Sequence, residues 1–251
     1  VALVGVRLSD EEYDHYADLG LEMARARAQL LRRGGVRAEP IGAFLADVAA
    51  LARGEGSLAS AALAYLAAMA ERRRLLAETP AKLAALDALS SSLAQANRSL
   101  VFTNTIEGAE RASVLLEGRG LGAAALHSGQ PGPIRRELLR RFGAGALSVL
   151  CAPTVLDEGI DVPAADLAVI LGASRSRRQM VQRMGRVLRR KADGRQARLV
   201  VVYAEDTGED PARGAHVGFL DEVTPVAVAV AVFPAGGAGH ALCDYLRPRT
   251  G

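Results

Sequence analysis

The sequence predicts an α/β domain with a parallel sheet in three layers, preceded by a helical region. Residues 1–96 show helical apolar spacing and few strand signals after the opening VALVGV. From Leu100 onward, short apolar runs alternate with helical segments, and these runs lack the polar alternation of a half-exposed sheet. Repeats of strand, helix and strand imply right-handed crossovers, so the strands are expected to be parallel and covered on both faces.

Four helices are predicted in the first region. The first begins at Ser9, a suitable N-cap followed by acidic residues, and ends at the glycine pair 34–35. The other three are predicted at 40–53, 57–77 and 81–97. We therefore expect three parts, namely a helical region at 1–79, the α/β domain at 80–222 and a C-terminal extension at 223–251 without assignable chemistry.

The α/β region contains five predicted strands, at 100–103, 123–127, 148–152, 166–171 and 197–204. Helices are predicted between them at 107–117, 133–142 and 177–190. Ligands of open parallel sheets bind at the carboxyl ends of the strands. The segments that follow the strands are therefore the candidate sites.

Composition places the chain among globular proteins without a disulfide framework. Half of its 251 residues are hydrophobic, and its two cysteines, Cys151 and Cys243, favour a reducing compartment and a cytoplasmic location. The apolar run at 57–70 is shorter than the roughly 20 residues that cross a bilayer, so no membrane partner is expected. No secretory signal is present, and the first residue, Val1, indicates a piece of a longer protein.

Positive charge is concentrated in one segment of the chain. The formal net charge is only +3, but ten basic residues and a single acid, Asp193, lie between Gly172 and Arg198. On a helical wheel, polar residues of this segment share an arc of roughly 120° that contains no carboxylate. They are Gln179, Gln182, Arg183, Arg186, Arg189 and Arg190. Since guanidinium groups bind phosphate through a planar fork of donors, this row predicts a phosphate-bearing ligand, although a plain basic surface is the alternative.

Two segments after strands offer neutral hydrogen-bond donors. Thr103, Asn104 and Thr105 follow the first predicted strand at the start of a helix, where free N–H groups attract anions. Simple capping of that helix by Thr105 is the alternative. His127, Ser128 and Gly129 form a tight turn after the second strand, which exposes N–H groups to a phosphate, and no catalytic role is assigned to His127.

The segment 152–163 after the third strand is too polar for a plain connector. Gly159 permits a sharp turn, and Asp161 is left to accept a hydrogen bond, for which a sugar hydroxyl is one candidate donor. The alternative is a turn in which Asp161 satisfies its own backbone. The arginine row follows the fourth strand, so we expect it at the same carboxyl edge, or rim, of the sheet as Asp161.

Several sites are missing from the sequence. No G-x-x-x-x-G-K-[ST] loop is present because neither lysine follows a glycine, so the chain cannot cradle nucleotide phosphates by itself. Asp157 and Glu158 leave a strand in a loop and are not assigned to magnesium. The sequence also lacks a spaced Cys/His cluster for zinc, so no metal site is predicted.

Four motifs in order resemble the C-terminal RecA-like domain of superfamily 2 helicases. They are VFTNT, HSGQPGPIRRELLRRF, VLCAPTVLDEGIDVPAADLAVI and QMVQRMGRVLRRK, and the resemblance covers roughly residues 80 to 205. The stretch ASRSRRQMVQRMGRVLR is similar to the sixth motif of the nucleotide excision repair helicases and their bacterial relatives.

The resemblance implies that ATP and Mg²⁺ are held mainly by a first motor domain that precedes this one. Arg186 with Arg183 or Arg189 would act as arginine fingers and Gln182 would position them, while Gly159 and Asp161 would contact the nucleotide sugar. The isolated chain, which lacks both Walker motifs, is expected to be inactive alone.

The resemblance also implies contacts to the backbone of a nucleic acid, with DNA favoured over RNA. The residues concerned are Thr103, Asn104, Thr105, Ser128, Gly129 and Thr154. Pro153 departs from the pattern, because many relatives have Ser or Thr there, and Thr154 is expected to substitute.

The leading interpretation is therefore the second motor domain of an ATP-dependent helicase. A double-strand DNA translocase, such as a restriction or remodelling motor, is one alternative. A nucleic-acid-binding module that uses no ATP is the other.

Overall fold

The sheet and a set of long helices lie in different compact units of the chain. The computed structural model describes residues 1–153, 165–172, 196–215, 220–221, 223–237 and 239–248. One unit, the sheet unit, combines Val1–Arg7 with Thr79–Gly251, and the other, the helical unit, is Leu8–Glu78.

The helical unit consists of α1 (Asp10–Arg33), α2 (Ile41–Leu51) and α3 (Ser57–Glu78). The predicted start of α1 is confirmed, since the Glu12 N–H donates to Ser9 Oγ at 3.2 Å and the Ser9 N–H donates to the Glu12 carboxylate at 2.9 Å. Phe44 packs edge-on against Tyr65 in the core of this unit. Among the described residues, no helix is both long and apolar enough to cross a membrane.

Parallel strands form the core of the sheet unit. They are β1 (Ala2–Val6), β2 (Ser99–Phe102), β3 (Ala123–Ala125), β4 (Val149–Ala152), β5 (Leu167–Ile170), β6 (Arg198–Ala204) and β7 (Ala231–Phe233). In the described part of the chain they form one sheet in the order β3-β4-β2-β5-β6-β1-β7, and each neighbouring pair is parallel. This confirms the predicted fold class, and β2 to β6 match the five predicted strands.

Helices connect these strands and pack against the sheet. They are α4 (Pro80–Ala88), α5 (Ser90–Ala94), α6 (Ile106–Gly118), α7 (Gly132–Ala144) and α8 (Gly239–Tyr245). The single helix predicted at 81–97 is divided at Leu89, which caps α4 and precedes α5. The helix predicted at 177–190 lies outside the described residues.

The ends of the chain differ from the predicted division into three parts. β1 pairs with β6 and β7, so residues 1–7 belong to the sheet unit and not to a helical region. β7 and α8 belong to the same unit instead of forming a separate extension. Local patterns do not reveal these pairings because they join distant segments, as in the ion pair between Arg7 and Glu205, 198 residues apart.

Side chains of β2 enter the core on both sides of the sheet. Leu100 aligns with Leu150 and Ala168, and this face packs against Phe142 of α7. Val101 points the opposite way, in register with Cys151, and both are fully buried. Complete burial of each such aliphatic side chain contributes about 1.5–3 kcal/mol.

Two buried ion pairs connect peripheral segments to the sheet. Arg198 donates to Asp166 at 3.1 Å and to the Leu246 carbonyl at 2.6 Å, which holds the end of α8 at the amino edge. Lys82 of α4 lies 2.5 Å from the Glu209 carboxylate in the segment after β6, and both side chains are almost inaccessible. Removing either partner of such a pair leaves an uncompensated buried charge, which costs about 3–5 kcal/mol.

The two thiols are expected to differ in reactivity. Burial, together with the nearby Glu117 carboxylate, raises the pKa of Cys151 to about 12, so this thiol stays protonated near neutral pH. Cys243 is only half-buried. At about pH 8, Ellman's reagent should therefore modify one thiol in the native chain and two in denaturant. Modification of both thiols in the native chain would contradict the packing of β4.

Candidate functional site

The predicted donor segments lie at one edge of the sheet. Because the strands are parallel, the residues that follow β2, β3, β4 and β5 emerge at the same carboxyl edge. β2 has β4 on one side and β5 on the other, so Thr103 lies between Pro153 and Leu171 at the strand ends. The turn after β3 lies beyond β4. The structure thus brings the Thr103–Thr105 segment and the Ser128–Gly129 turn to one rim.

The threonines after β2 serve the local backbone. Thr103 is 5% exposed, its N–H donates to the Ala152 carbonyl at 2.9 Å, and its hydroxyl donates to the Thr105 carbonyl at 2.9 Å. Thr105 is the N-cap of α6, where its Oγ1 accepts from the Gly108 N–H at 2.9 Å. This corrects the sequence prediction for Thr103, which shapes the turn instead of presenting its hydroxyl to a ligand. Thr105 fulfils the capping alternative.

Asn104 is the exposed member of this segment, and it lies against Gly172 at the end of β5. A Cβ atom at position 172 would meet the Asn104 carboxamide, whose atoms are the three nearest neighbours. Glycine at position 172 therefore permits the observed place of the Asn104 side chain. No sequence pattern predicts this contact, since neither residue type indicates the other.

The turn after β3 presents two exposed residues, Ser128 and Gly129. It is closed by the Gln130 N–H, which donates to the His127 carbonyl at 3.2 Å. Within the described part of the chain, the N–H groups of Ser128 and Gly129 donate to no other group. Contact of these donors with an anion stays a prediction of the sequence.

His127 lies beneath this turn and not in solvent. Its side chain is 9% exposed, and its Nε2 is 3.4 Å from the Glu110 carboxylate of α6. Its Nδ1 is buried, has no hydrogen-bond partner among the residues that the structure describes, and lies beside Gly129. The position suits a packed imidazole that supports the turn.

Sequence reasoning missed the role of Gln130 in this turn. Its Nε2 donates to the Ala125 carbonyl at 3.1 Å, and its Oε1 accepts from the His127 N–H at 3.1 Å. The sequence feature that could have indicated this role is a glutamine directly after HSG and directly before a proline.

The remaining predicted site residues lie outside the described residues. They are Thr154, Gly159, Asp161, Gln182, Arg183, Arg186 and Arg189. The described residues that precede their segments, Pro153 and Gly172, both lie at the carboxyl edge next to β2. Among the described residues, no group of three His, Cys, Asp or Glu side chains is arranged to hold a metal ion.

Residues 81–191 match the family described as the helicase conserved C-terminal domain. The chain carries a superfamily 2 helicase C-terminal domain. The matched residues include both donor segments on the rim and the arginine row.

Two curated relatives are much longer than the segment that matches this chain. The DNA 3'-5' translocase XPB2 of Sulfurisphaera tokodaii is 41% identical over 75 residues, which are 30% of this chain and 17% of that protein. The putative DNA 3'-5' helicase Rad25 of Halobacterium salinarum is 37% identical over 141 residues, 55% of this chain and 22% of that protein. The helicase domain therefore spans about a fifth of the length of these relatives.

A solved structure of Saccharomyces cerevisiae Dbp5, bound to RNA and ADP BeF3, shares the fold of this domain. The TM-score is 0.52 at 18% identity, and the match covers 66% of this chain and 41% of that chain. This agrees with the predicted RecA-like architecture.

The contact between Asn104 and Gly172 predicts the effect of a single methyl group. Gly172→Ala should displace the Asn104 carboxamide, because the new Cβ occupies its place, and should change stability by no more than about 1 kcal/mol, since that carboxamide is exposed. The measurement is the chemical shift of the Asn104 side-chain amide together with the thermal midpoint. Gly118→Ala, at a position with open space around it, is the matched control. An unmoved Asn104 signal in Gly172→Ala would contradict the contact.

Proposed function

We propose that this chain is the second motor domain of an ATP-dependent superfamily 2 DNA helicase. The observation that carries the proposal is the position of the exposed donors. Asn104 and the Ser128–Gly129 turn lie at the carboxyl edge of the sheet, beside the strand ends that precede in sequence the segments with Asp161 and the arginine row. The family match over residues 81–191 supports it.

The rim would hold the sugar–phosphate backbone of a nucleic-acid strand. The free N–H groups of Ser128 and Gly129 and the exposed Asn104 carboxamide are neutral donors suited to phosphate oxygens. Such contacts read no base edges, so binding is expected without sequence preference. Thr154 is a further proposed contact, and Thr103 and Thr105 contribute by holding the turn.

The arginine row would face a triphosphate that the first motor domain presents. A donor set of guanidinium groups without a carboxylate fits an oxyanion, and Arg186 with Arg183 or Arg189 would stabilise negative charge that grows on phosphoryl oxygens. Gln182 would position these groups, and Gly159 and Asp161 would contact the nucleotide sugar. ATP, with Mg²⁺ held mainly by the first motor domain, supplies the free energy for closing and opening the two domains.

The names of the two curated relatives favour DNA over RNA and support a relationship to the nucleotide excision repair helicases. A cytoplasmic DNA-repair role is part of the same proposal. The double-strand translocase is a second candidate, because one relative is named a translocase. An unwinding assay with the longer protein separates the two, since a translocase displaces a bound protein from duplex DNA without separating the strands.

Arg186→Ala in the longer protein should lower the ATP turnover number by about 10³–10⁵-fold while ATP still binds, because a finger acts on charge that develops during the reaction. Turnover and nucleotide affinity are measured separately. Arg140→Ala is the matched control, since Arg140 lies in α7 and pairs with Glu137 at 2.7 Å. Unchanged turnover in Arg186→Ala would refute the finger assignment.

The isolated chain should bind single-stranded DNA weakly and with a steep dependence on salt. Contacts to phosphate displace counterions, so the affinity should fall progressively between about 50 and 200 mM salt. Fluorescence anisotropy with labelled oligothymidylate gives the slope. Affinity that is indifferent to ionic strength would count against a grip on the backbone.

A further inference from the structure

The turn that presents Ser128 and Gly129 is held by one side chain. The Gln130 carboxamide uses both of its functions, donating from Nε2 to the Ala125 carbonyl and accepting at Oε1 from the His127 N–H, each at 3.1 Å. Ala125 is the last residue of β3, so the carboxamide connects the strand end to the turn.

The His127 ring also lies against the turn. This ring is almost fully buried, and a Cβ atom at position 129 would lie 3.1 Å from its Nδ1. The turn is therefore supported by both an imidazole and a carboxamide. Ser128 and Gly129 remain exposed, with N–H groups that have no partner among the described residues.

We propose that Gln130 is a positioning residue for the nucleic-acid backbone, acting through the Ser128–Gly129 turn. The inference rests on the proposed function and adds to it a residue that does not itself touch the strand. Its carboxamide holds the turn that carries the two N–H groups, which have no partner among the described residues, and so keeps them ordered for a phosphate. Pre-organised donors bind an anion more tightly than donors that must first be ordered.

Glutamine suits this place for a stereochemical reason. The Ala125 carbonyl requires a donor and the His127 N–H requires an acceptor, and a carboxamide supplies both from one planar group. Methionine has a similar length but supplies neither. An ionised glutamate accepts but cannot donate, whereas a protonated glutamate does both.

The experiment compares the whole chain with Gln130→Met and Gln130→Glu, using fluorescein-labelled single-stranded oligothymidylate. At about pH 8, Gln130→Met should bind about threefold to tenfold more weakly than the unmodified chain, and the His127 amide should exchange faster with solvent. Gln95→Met makes the same change at an exposed glutamine near the amino edge and should have no effect. Thermal midpoints identify any variant that fails to fold.

The Gln130→Glu variant separates positioning from charge. As the pH falls below the ordinary glutamate pKa of about 4.3, to about 3.5–4, its affinity should rise above that of Gln130→Met toward that of the unmodified chain, because a protonated carboxyl restores both hydrogen bonds. His127 in the turn, Glu110 on α6 and Arg136 on α7 are present in all variants, so each affinity is compared between variants at the same pH. Recovery only to the level of Gln130→Met would show that charge alone was removed and would overturn the proposal.

Two further outcomes are distinguishable. If Gln130→Met binds as tightly as the unmodified chain, the positioning role is wrong although the proposed function stands. If the unmodified chain does not bind the oligonucleotide at low salt, the nucleic-acid contact itself fails and the positioning role fails with it.

Discussion

Parallel pairing of β2 with β4 and β5 is the constraint on which the rest of the domain depends. It places the carboxyl ends of these strands at one edge, and each strand contains only four residues, all buried. A shift of one residue in β2 would exchange Leu100 and Phe102 for Val101 across the sheet and would displace Thr103 from the Ala152 carbonyl. The positions of the residues at the rim therefore depend on the hydrophobic register of these strands.

β4 is the common support of both donor segments. The Thr103 N–H donates to the Ala152 carbonyl at 2.9 Å, and the Leu126 N–H donates to the neighbouring Cys151 carbonyl at 2.8 Å. The Glu110 carboxylate of α6 then approaches His127 beneath the second segment. The two segments are thus joined through backbone and side chain, so their separation is fixed by elements of the core and not by loop flexibility.

The parts of this architecture that follow local rules were predictable from the sequence. β2 to β6 are short apolar runs, and the start of α1 is a capping box, so periodicity and residue type suffice. The partners of β1, the contact of Asn104 with Gly172 and the bridge made by Gln130 depend on how strand ends meet in space. For Thr103 the sequence predicts the position at the strand end. It does not reveal that the side chain is buried and that its hydroxyl donates to the Thr105 carbonyl.

The chemistry of the rim is also relevant to how the proposed motor domain would release a nucleic-acid strand. The described donors at the rim, Asn104 with the N–H groups of Ser128 and Gly129, are neutral, whereas the basic residues are concentrated between Gly172 and Arg198. A hydrogen bond between neutral groups is roughly half as strong as one to a charged partner, so a few such contacts hold a strand without trapping it. Guanidinium groups suit the opposite requirement, because charge on a phosphoryl group must be stabilised strongly while it is transferred. In the proposed function, the neutral donors would hold the strand reversibly, and the cationic groups of the arginine row would assist hydrolysis.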